Sequence, residues 1–406
     1  MKFAFSLCCV YNVRREKCVM AKFKKILAAF AMPVVALIAA AVTCFFVPFD
    51  KQYLDYFDFR TLACLFCTLA VVCAFKNIRF FRWLADVIVR RFKTVRGAVI
   101  ALVFVTYFGS MIMANDMALI TFLPLGFLVL ESCAQRKYLA FVFVMQNVAA
   151  NLGGMLTPFG NPQNLYLYSF YSYSAGEFFR VMAVPFAVAF ILILASCLFV
   201  KPLKIEAVST QVPPPPLFKT VAYSVLFAVS VLIVFRVFPY WWGLAAVVAA
   251  LLLLDPASLV KVDYKLLVTF AAFFVFAGNM ARIDAVKEFL SSLVAASPLL
   301  VGVASCQVLS NVPASMLLSR FTADKNALLI AVNIGGLGTP VASLASLITL
   351  GEYRSANGGG ARRYLGLFSA INFSFLADGG FAVNFAAALN SFTPPCCVKI
   401  AGKVRL

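Results

Sequence analysis

Two stretches of the chain repeat the same polar and helix-breaking residues within apolar surroundings. The shared pattern is Asn-x-Gly-Gly-x-x-Thr-Pro, and its two copies are Asn151-x-Gly153-Gly154-x-x-Thr157-Pro158 and Asn333-x-Gly335-Gly336-x-x-Thr339-Pro340. Identical residues at identical spacing in two apolar segments are hard to ascribe to chance. Proline removes a backbone donor and clashes with the preceding turn, whereas glycine loosens the backbone. Both stretches are therefore predicted to be interrupted helices.

An interrupted helix exposes main-chain groups that can bind ions. Unwinding a helix in hydrocarbon leaves N–H and C=O groups without partners, which is tolerated only where the backbone is buried in protein or lines a cavity. The freed amides can bind an anion, and the freed carbonyls can bind Na⁺. We therefore predict a site for a small anion at the two breaks, 157–164 and 335–343. The residues expected to bind substrate there are Thr157, Asn161, Asn164, Thr339, Pro340 and Ser343.

Two further apolar segments, 97–131 and 297–320, carry an asparagine near their centre. The first is interrupted at Asn115, and the second at Ser310 and Asn311. Basic residues on both flanks of the first segment indicate that it enters and leaves the membrane on one side, as a re-entrant hairpin does. Asn115, Ser310 and Asn311 are predicted to bind substrate, although an asparagine at such a position can also simply cap a half-helix.

Asp116 is a carboxylate next to the first hairpin tip. A charged residue at the centre of a bilayer costs on the order of 2.5–3.5 kcal/mol on insertion scales, so it is rarely incidental. Three roles remain open for it, namely Na⁺ ligand, proton carrier and N-cap of the returning half-helix. The predicted ion-coupling residues are Asn115, Asp116, Gly160, Asn311 and Gly338. Asp378 is a weaker candidate because no repeat partner supports it.

The composition is typical of a polytopic integral membrane protein. Of 406 residues, 63% are hydrophobic and 13% are charged, whereas a soluble domain is about half apolar and a quarter charged. Apolar blocks such as Ile26–Phe46 and Val181–Val200 are long enough to cross a bilayer core of about 30 Å. The lipid bilayer is therefore an expected partner.

The net charge and the absence of histidine limit which classes of function are possible. The net charge is +19, but the basic residues lie in short segments between apolar blocks, as the positive-inside rule requires. We therefore predict no nucleic-acid partner. The chain has no histidine, so we expect no cofactor and no metal other than a coupling Na⁺, with H⁺ as the other candidate coupling ion. Cys64 and Cys67 are interpreted as small apolar residues of a membrane helix.

The order of segments predicts an all-α protein with about 11 transmembrane segments in two inverted repeats. A basic cytoplasmic N-terminus (1–25) precedes the first repeat (26–200), which holds the hairpin 97–131 and the broken helix 139–171. A proline-rich linker (201–219) leads to the second repeat (220–390), with the hairpin 297–320 and the broken helix 328–350, and then to a C-terminal tail (391–406). An odd number of crossings between the halves inverts the second repeat. We expect the protein in the plasma, or inner, membrane.

The first break also resembles a known signature. The run Thr157-Pro158-Phe159-Gly160-Asn161-Pro162-Gln163-Asn164 is similar to the T-P-x-G-N/T-P-x-N motif of the ion transporter superfamily. The branch resembles the citrate-transporter-like permeases, which are kin to divalent anion/sodium symporters and arsenite permeases. This resemblance implies a homodimer whose protomers each have a scaffold and a moving transport domain, working by an elevator motion. It also implies that hairpin-tip asparagines bind a substrate carboxylate, here Asn115, and Ser310 with Asn311.

The sequence thus predicts a secondary transporter rather than an enzyme, coupled to Na⁺ or H⁺ and specific for a small citrate-like or dicarboxylate-like anion. The tip Ala114-Asn115-Asp116 is more like those of arsenite permeases and Na⁺/H⁺ antiporters. An exporter of either kind is therefore the alternative prediction. A membrane enzyme is disfavoured, because an enzyme gains nothing from a duplicated inverted site. The solute, the coupling ion and the direction of flux stay open.

Overall fold

The computed structural model describes residues 32–205, 212–357 and 360–391, with side chains up to Asp378. Within these ranges the chain is helical, and the connections between helices are short. The predicted basic N-terminus (1–25) lies outside the described residues, as does nearly all of the predicted C-terminal tail.

The first half of the chain forms eight helices, with a 3-10 helix, Lys51–Tyr56, between the first two. The bounds are α1 Met32–Cys44, α2 Phe59–Asn77, α3 Phe80–Val89, α4 Val95–Gly109, α5 Asn115–Ser132, α6 Leu139–Gly153, α7 Pro162–Phe170 and α8 Ala175–Leu198. The predicted hairpin 97–131 corresponds to α4 and α5. The predicted broken helix 139–171 corresponds to α6 and α7.

The second half presents the same order of elements after two additional helices and one short turn of helix. The bounds are α9 Leu217–Val234, α10 Tyr240–Leu254, α11 Pro256–Val260, α12 Tyr264–Met280, α13 Asp284–Ala296, α14 Pro298–Leu309, α15 Asn311–Leu318, α16 Lys325–Ile334, α17 Leu344–Ala356 and α18 Arg362–Ser391. Helices α12 to α18 thus match α2 to α8 in order, and α14–α15 and α16–α17 occupy the places of the predicted hairpin 297–320 and broken helix 328–350.

Equivalent caps begin the two repeated units. The Asp58 carboxylate accepts a hydrogen bond from the Thr61 amide at 3.0 Å at the start of α2, and the Asp263 carboxylate accepts one from the Leu266 amide at 3.4 Å at the start of α12. A side-chain oxygen at this position satisfies a donor that a helix start leaves free. The repeat of cap and helix supports a common origin for the two halves.

A sharp elbow follows each of these long helices. Arg79 adopts a left-handed backbone conformation, with φ of 57°, between α2 and the short helix α3. Helices α12 and α13 are bent by 96° at the matching place. Helices α3 and α13 carry their apolar residues on one side, as expected for helices that lie at a membrane interface.

Five helical segments of the described chain are long and apolar enough to cross a membrane, and six if α12 and α13 count as one bent span. Five more apolar helices have only 10–17 residues. Three of these, α4, α14 and α16, are arms of the hairpins and broken helices, which are expected to be this short because each covers part of the bilayer. The figure of about 11 segments stays a prediction.

Glycine pairs let each broken helix approach the hairpin of its own repeat. A Cβ atom on Gly153 would lie 2.1 Å from the main-chain oxygen of Tyr107 in α4, and one on Gly335 would lie 3.0 Å from the Sγ atom of Cys306 in α14. The two halves also interlock, since α5 packs on α17 and α15 packs on α7. The hairpin tips and helix breaks of both repeats therefore come together in one place.

Candidate functional site

Asn151 joins the first hairpin tip to the second helix break. Its Oδ1 atom accepts hydrogen bonds from Asn115 Nδ2 at 3.1 Å and from Ser343 Oγ at 2.8 Å. All three side chains are buried. One side-chain oxygen thus holds residues from α5, α6 and the start of α17.

Asn333, the repeat partner of Asn151, makes the corresponding connection to the first helix break. Its Oδ1 atom accepts from Asn161 Nδ2 at 3.3 Å, and its Nδ2 atom donates to Asn164 Oδ1 at 2.6 Å. Asn151 thus bonds Ser343, and Asn333 bonds Asn161. In each case the partner directly precedes the second half of the broken helix in the other repeat. We call the six buried side chains Asn115, Asn151, Asn161, Asn164, Asn333 and Ser343 the asparagine cluster.

Asn311 lies beside this cluster across Gly336. A Cβ atom on Gly336 would be 3.0 Å from Asn311 Nδ2, which is a tight contact, and 3.6 Å from Asn151 Oδ1. The second tip is thereby brought to the same place as the first. The predicted residues of both hairpins and both breaks meet here.

The two breaks satisfy their freed carbonyls in different ways. In the first break, Asn164 Nδ2 lies within 3.1–3.3 Å of the main-chain oxygens of Gly154, Met155 and Thr157. The second break is served by Gln307, which belongs to the hairpin helix α14.

Gln307 uses both ends of its amide. Its Nε2 atom donates to the main-chain oxygens of Gly335 at 2.9 Å and Leu337 at 3.0 Å, and its Oε1 atom accepts from the Thr339 amide at 2.9 Å. Gly338, with φ of 102°, lies against the same side chain, and a Cβ atom there would be 2.3 Å from Gln307 Oε1. Gly338, which the sequence predicts to be an ion-coupling residue, thus lets Gln307 of α14 pack closely against the second break.

The threonines of both motifs hold the hairpins of their own repeats. Thr157 Oγ1 donates to the main-chain oxygen of Met111 at 2.8 Å, and Thr339 Oγ1 donates to that of Gln307 at 3.0 Å. Met111 and Gln307 occupy the same position relative to Asn115 and Asn311, four residues before each. These two predicted substrate ligands therefore tie the hairpins to the breaks through equivalent bonds.

The second hairpin tip is fastened to its own break. The Asn311 amide donates to the main-chain oxygen of Ala342 at 2.9 Å, and Ser310 Oγ donates to the same oxygen at 3.3 Å. At this contact the backbone of Ser310 has a positive φ angle of 76°. Pro340 is half-buried in the turn just before it.

The first tip and the first break each have one buried side-chain oxygen without a hydrogen-bond partner among the described residues. Asn115 Oδ1 accepts from the Asp116 amide at 2.9 Å, but the buried Oδ1 atom of Asp116 accepts no hydrogen bond. The buried Oδ1 atom of Asn161 also has no partner in the described part of the chain. Buried oxygens without donors are costly and are satisfied by a proton or a cation when one is supplied.

Gly160 completes the first break. A Cβ atom there would lie 2.4 Å from the main-chain oxygen of Gly154 and 2.6 Å from Thr157 Oγ1. A small cavity of about 10 Å³ adjoins this turn, lined among others by Ala114, Asn161 and Thr68 of α2. That volume is close to that of one water-sized sphere.

Four helices begin around the asparagine cluster. Helix α5 begins at Asn115, α7 directly after Asn161, α15 at Asn311 and α17 directly after Ser343. The N-terminus of a helix carries free N–H groups and a partial positive charge of about half an elementary charge. The place where the four meet is therefore suited to a negatively charged ligand.

Several residues of the site were not among the predicted ligands. Asn151 and Asn333 mark the start of the repeated pattern, which is the signal that identifies them. Asn147 and Ser346 form a further buried contact at 3.3 Å between α6 and α17. Neither the Asn147–Ser346 pair nor Gln307 belongs to a pattern that occurs in both repeats.

Asp378 does not join the cluster. It is exposed on α18 and lies beside a surface groove with Ser374 and Phe375. Within the described ranges, no three histidine, cysteine, aspartate or glutamate side chains lie together as a metal site. The candidate ligands for a coupling cation are therefore amide, hydroxyl and main-chain oxygens, together with Asp116.

Paired broken helices that meet at a buried polar centre, in an apolar helical protein, define a membrane transporter. The family model of the citrate transporter (CitMHS) matches residues 19–326, and the chain belongs to this family. The match covers the first repeat and continues into the second repeat as far as the beginning of α16.

Curated relatives and a solved structure agree with this assignment. The chain is 32% identical over 306 residues to the uncharacterized transporter MJ0456 of Methanocaldococcus jannaschii, covering 74% of this chain and 82% of that protein. It is 31% identical over 314 residues to the inner membrane protein YbiR of Escherichia coli, covering 75% and 83%. The YdaH transporter of Alcanivorax borkumensis shares the fold, with a TM-score of 0.51 and 13% identity over 90% of this chain and 98% of that one.

Proposed function

We propose that this member of the citrate transporter family is an ion-coupled permease for a small carboxylate or oxyanion, citrate-like or dicarboxylate-like. The observation that carries the proposal is the convergence of four helix N-termini on a cluster of uncharged amides and hydroxyls. Free N–H groups and Asn or Ser side chains can donate several hydrogen bonds to carboxylate oxygens.

The neutrality of the cluster favours an anion that arrives with its own counterion. A multiply charged anion is costly to bury, and half-helix dipoles offset only part of that cost. A coupled cation would supply the remainder. The Oδ1 atoms of Asp116 and Asn161, which accept no hydrogen bond within the described residues, are the proposed ligands for that cation.

Na⁺ and H⁺ would use this place differently. Na⁺ needs several oxygen ligands, and the asparagine carbonyls and main-chain oxygens of the first break would complete its shell beside Asp116. A proton would bind Asp116 alone. Both ions remain proposals, and the experiment below distinguishes them.

The proposed transport cycle is alternating access of the elevator type in a homodimer. The hairpins and broken helices would move together as a transport domain, because hydrogen bonds within the first repeat and between the two repeats join them into one unit. Helices such as α9 and α10, which carry exposed apolar side chains, would belong to the scaffold. The proposed membrane is the inner membrane, with the N-terminus in the cytoplasm.

One observation favours a second candidate, an arsenite-type exporter or a Na⁺/H⁺ antiporter. The carboxylate Asp116 follows the first tip asparagine, whereas the second tip has Val312 in that position. A carboxylate with a donor-free buried oxygen is suited to exchanging a cation or a proton without an anion.

Thermal unfolding of the detergent-purified protein tests the proposal. Melting temperatures would be measured with citrate, succinate, sulfate, phosphate and arsenite, each with Na⁺ or choline and at two pH values. A ligand that binds only the native state raises the melting temperature by mass action. Na⁺-dependent or pH-dependent stabilisation by a di- or tricarboxylate is the expected result. Stabilisation by Na⁺ or pH alone, with no effect of any anion, would replace the proposal with the antiporter.

Three substitutions test the site itself. Asn115→Ala, Asn311→Ala and Thr157→Ala are each expected to abolish uptake into proteoliposomes while the protein still folds. Normal uptake by all three variants would show that the substrate binds elsewhere.

A further inference from the structure

A second polar pocket lies at the elbow between α2 and α3, away from the asparagine cluster. Three basic side chains and an apolar wall enclose a cavity of about 130 Å³. Its lining is Lys76, Arg79, Arg82, Phe81, Ile120, Thr121 and Pro124. The pocket is thus shared between the elbow and α5, the second arm of the first hairpin.

The three cations of this pocket have no acidic partner among the described residues. The salt bridges of the described residues join other side chains, such as Arg90 with Asp86 further along α3. The elbow of the second repeat is different, because Arg282 there bonds both carboxylate oxygens of Asp50 at 2.6 and 3.0 Å. Arg282 also donates to the Tyr56 hydroxyl at 3.0 Å.

The two elbows differ in that the first gathers three exposed cations with no carboxylate partner in the described ranges. Three positive charges that line one cavity create a positive local potential, which attracts an anion. The left-handed conformation of Arg79 turns the chain so that residues on both sides of it face the same space.

The apolar wall indicates that this anion belongs to an amphiphile. Phe81, Ile120 and Pro124 face the cavity beside the cations, and Ile120 remains 41% exposed. Leu84, on the next turn of α3, is 38% exposed. Exposed apolar side chains next to unpaired cations are typical of a helix at the boundary between head groups and acyl chains.

We propose that the elbow pocket binds the phosphate head group of an anionic phospholipid. The cavity of about 130 Å³ is much larger than the ~10–15 Å³ that one water needs on the same measure, so it has room for a phosphodiester group. Lys76, Arg79 and Arg82 hold the phosphate oxygens, and the acyl chains lie along Ile120 and Leu84. A basic pocket between membrane helices on the cytoplasmic side is a known form of lipid head-group recognition.

A bound lipid would join the elbow to the first hairpin. Helix α5 runs from the tip at Asn115 to the pocket residues Ile120, Thr121 and Pro124. The head group therefore stabilises the arm that carries Asp116. This binding does not depend on which solute the protein transports.

The test compares two triple variants that each lose three positive charges. The pocket variant is Lys76→Gln, Arg79→Gln and Arg82→Gln. The matched control is Arg354→Gln, Arg362→Gln and Arg363→Gln, three exposed arginines at the junction of α17 and α18. Thermal unfolding and native mass spectrometry of the full chain in detergent are measured with phosphatidylglycerol, phosphatidylcholine, inorganic phosphate or glycerol phosphate.

Phosphatidylglycerol is expected to raise the melting temperature of the wild type and the control variant, and to remain bound in their mass spectra. The pocket variant should bind it about 100-fold more weakly, since it loses three basic residues and each Lys or Arg near anionic lipid contributes about fivefold. An undiminished shift in the pocket variant would overturn the proposal. Equal shifts with phosphatidylcholine, or with phosphate alone, would also overturn it, in favour of non-specific lipid or a free anion.

A single substitution keeps the test decisive if the triple variant does not fold. Arg79→Asn removes one charge at a position where asparagine tolerates the left-handed backbone. It is expected to weaken phosphatidylglycerol binding about fivefold. Unchanged binding in this well-folded variant would contradict the assignment of Arg79 to the head group.

Discussion

The two repeats place equivalent bonds around the cluster but fasten their hairpins differently. In the second repeat, the Gln307 side chain bonds main-chain atoms of Gly335, Leu337 and Thr339 in the break. Ser310 Oγ and the Asn311 main-chain N–H both donate to the main-chain oxygen of Ala342. The Thr339 hydroxyl donates to the main-chain oxygen of Gln307, which makes five main-chain atoms in all. Near its tip the first hairpin is held by the Thr157 hydroxyl and by the side-chain amide of Asn115. Further from the tip, Gln146 of α6 donates to Thr106 Oγ1 at 3.0 Å and to the main-chain oxygen of Phe122 at 3.2 Å. The first break satisfies its own carbonyls through Asn164.

This difference suggests a division of labour between the tips. The second tip is built into the wall of the site, whereas the first tip carries Asp116 and has fewer bonds to its surroundings. Local openings in a protein occur where few contacts must be broken. We therefore expect ion coupling and access to depend on the first hairpin, and the shape of the site to depend on the second. The predictions below test this comparison, beginning with the largest effect.

Asn151→Ala is expected to reduce uptake about 100-fold or more, because it removes the acceptor shared by Asn115 and Ser343. Each buried donor left unpaired costs about 1–3 kcal/mol. Proteoliposome uptake per folded protein is the measurement. Asn372→Ala is the control, since Asn372 is equally buried but bonds only the main chain of α18. Equal losses in both variants would contradict the role of the cluster.

Asp116→Asn is expected to remove coupling while substrate exchange persists. The change keeps the size of the side chain but removes the charge that would bind Na⁺ or a proton. Uptake driven by a Na⁺ or pH gradient should fall to background, whereas exchange of labelled for unlabelled substrate should continue. Loss of both activities would place Asp116 in substrate binding and not in coupling.

Gln307→Leu is expected to loosen the second hairpin until it resembles the first. The substitution leaves two buried carbonyls and one amide without partners, at a cost of about 1–3 kcal/mol for each group. Hydrogen exchange of peptides covering 110–118 and 306–314 is the measurement. In the wild type the first peptide should exchange faster. In the variant the difference should disappear or reverse.

Thr157→Val and Thr339→Val should each lower the free energy of unfolding by about 1 kcal/mol, with Thr157→Val the larger effect on uptake. Valine keeps the shape of threonine but cannot donate to the carbonyl of Met111 or Gln307. The second hairpin tip retains its other bonds to its break, whereas the first tip loses one of the two bonds that hold it. Chemical unfolding and uptake of both variants would be compared. A larger loss of uptake in Thr339→Val would reverse the proposed division.

The smallest effect is expected at the elbow of the second repeat. The Arg282 guanidinium beside Asp50 holds the pKa of that carboxyl below its usual range, so the contribution of Asp50 to stability is present above its unfolded-state pKa. It is lost as the pH falls through the lowered value. Asp50→Asn should therefore cause a small decrease in melting temperature at neutral pH, and this decrease should vanish in acid. A difference that is independent of pH would contradict the ion pair.

Much of the fold could be predicted because apolar length and helix breakers act locally. The repeated Gly-Gly and Thr-Pro residues predict where the two long helices break, and Gly153 and Gly335 permit close packing at those places. The interruptions at 115 and 310–311 predict where the two arms of each hairpin separate. The membrane-transporter class and its family followed from the same residues and are confirmed.

The pairing of side chains was not predictable in this way. Asn151 bonds Ser343, 192 residues away, and that contact depends on how the two halves cross. Gln307 has no polar counterpart four residues before the first tip, where Met111 stands. A pattern search based on repetition finds what the halves share, whereas the differences between them require the three-dimensional contacts.

The uncharged nature of the asparagine cluster has an electrical consequence. Within the described residues, its members are five amides and one hydroxyl, with Asp116 as the neighbouring carboxylate. Moving one elementary charge through a potential of 100 mV involves about 2.3 kcal/mol. Because the six cluster side chains carry no charge, they add nothing to that work. Within the proposed site, voltage would act on the solute, on any ion bound with it and on Asp116 when it is ionised. If the proposed coupling holds, the net charge moved per solute over a complete cycle would give the number of ions that accompany it.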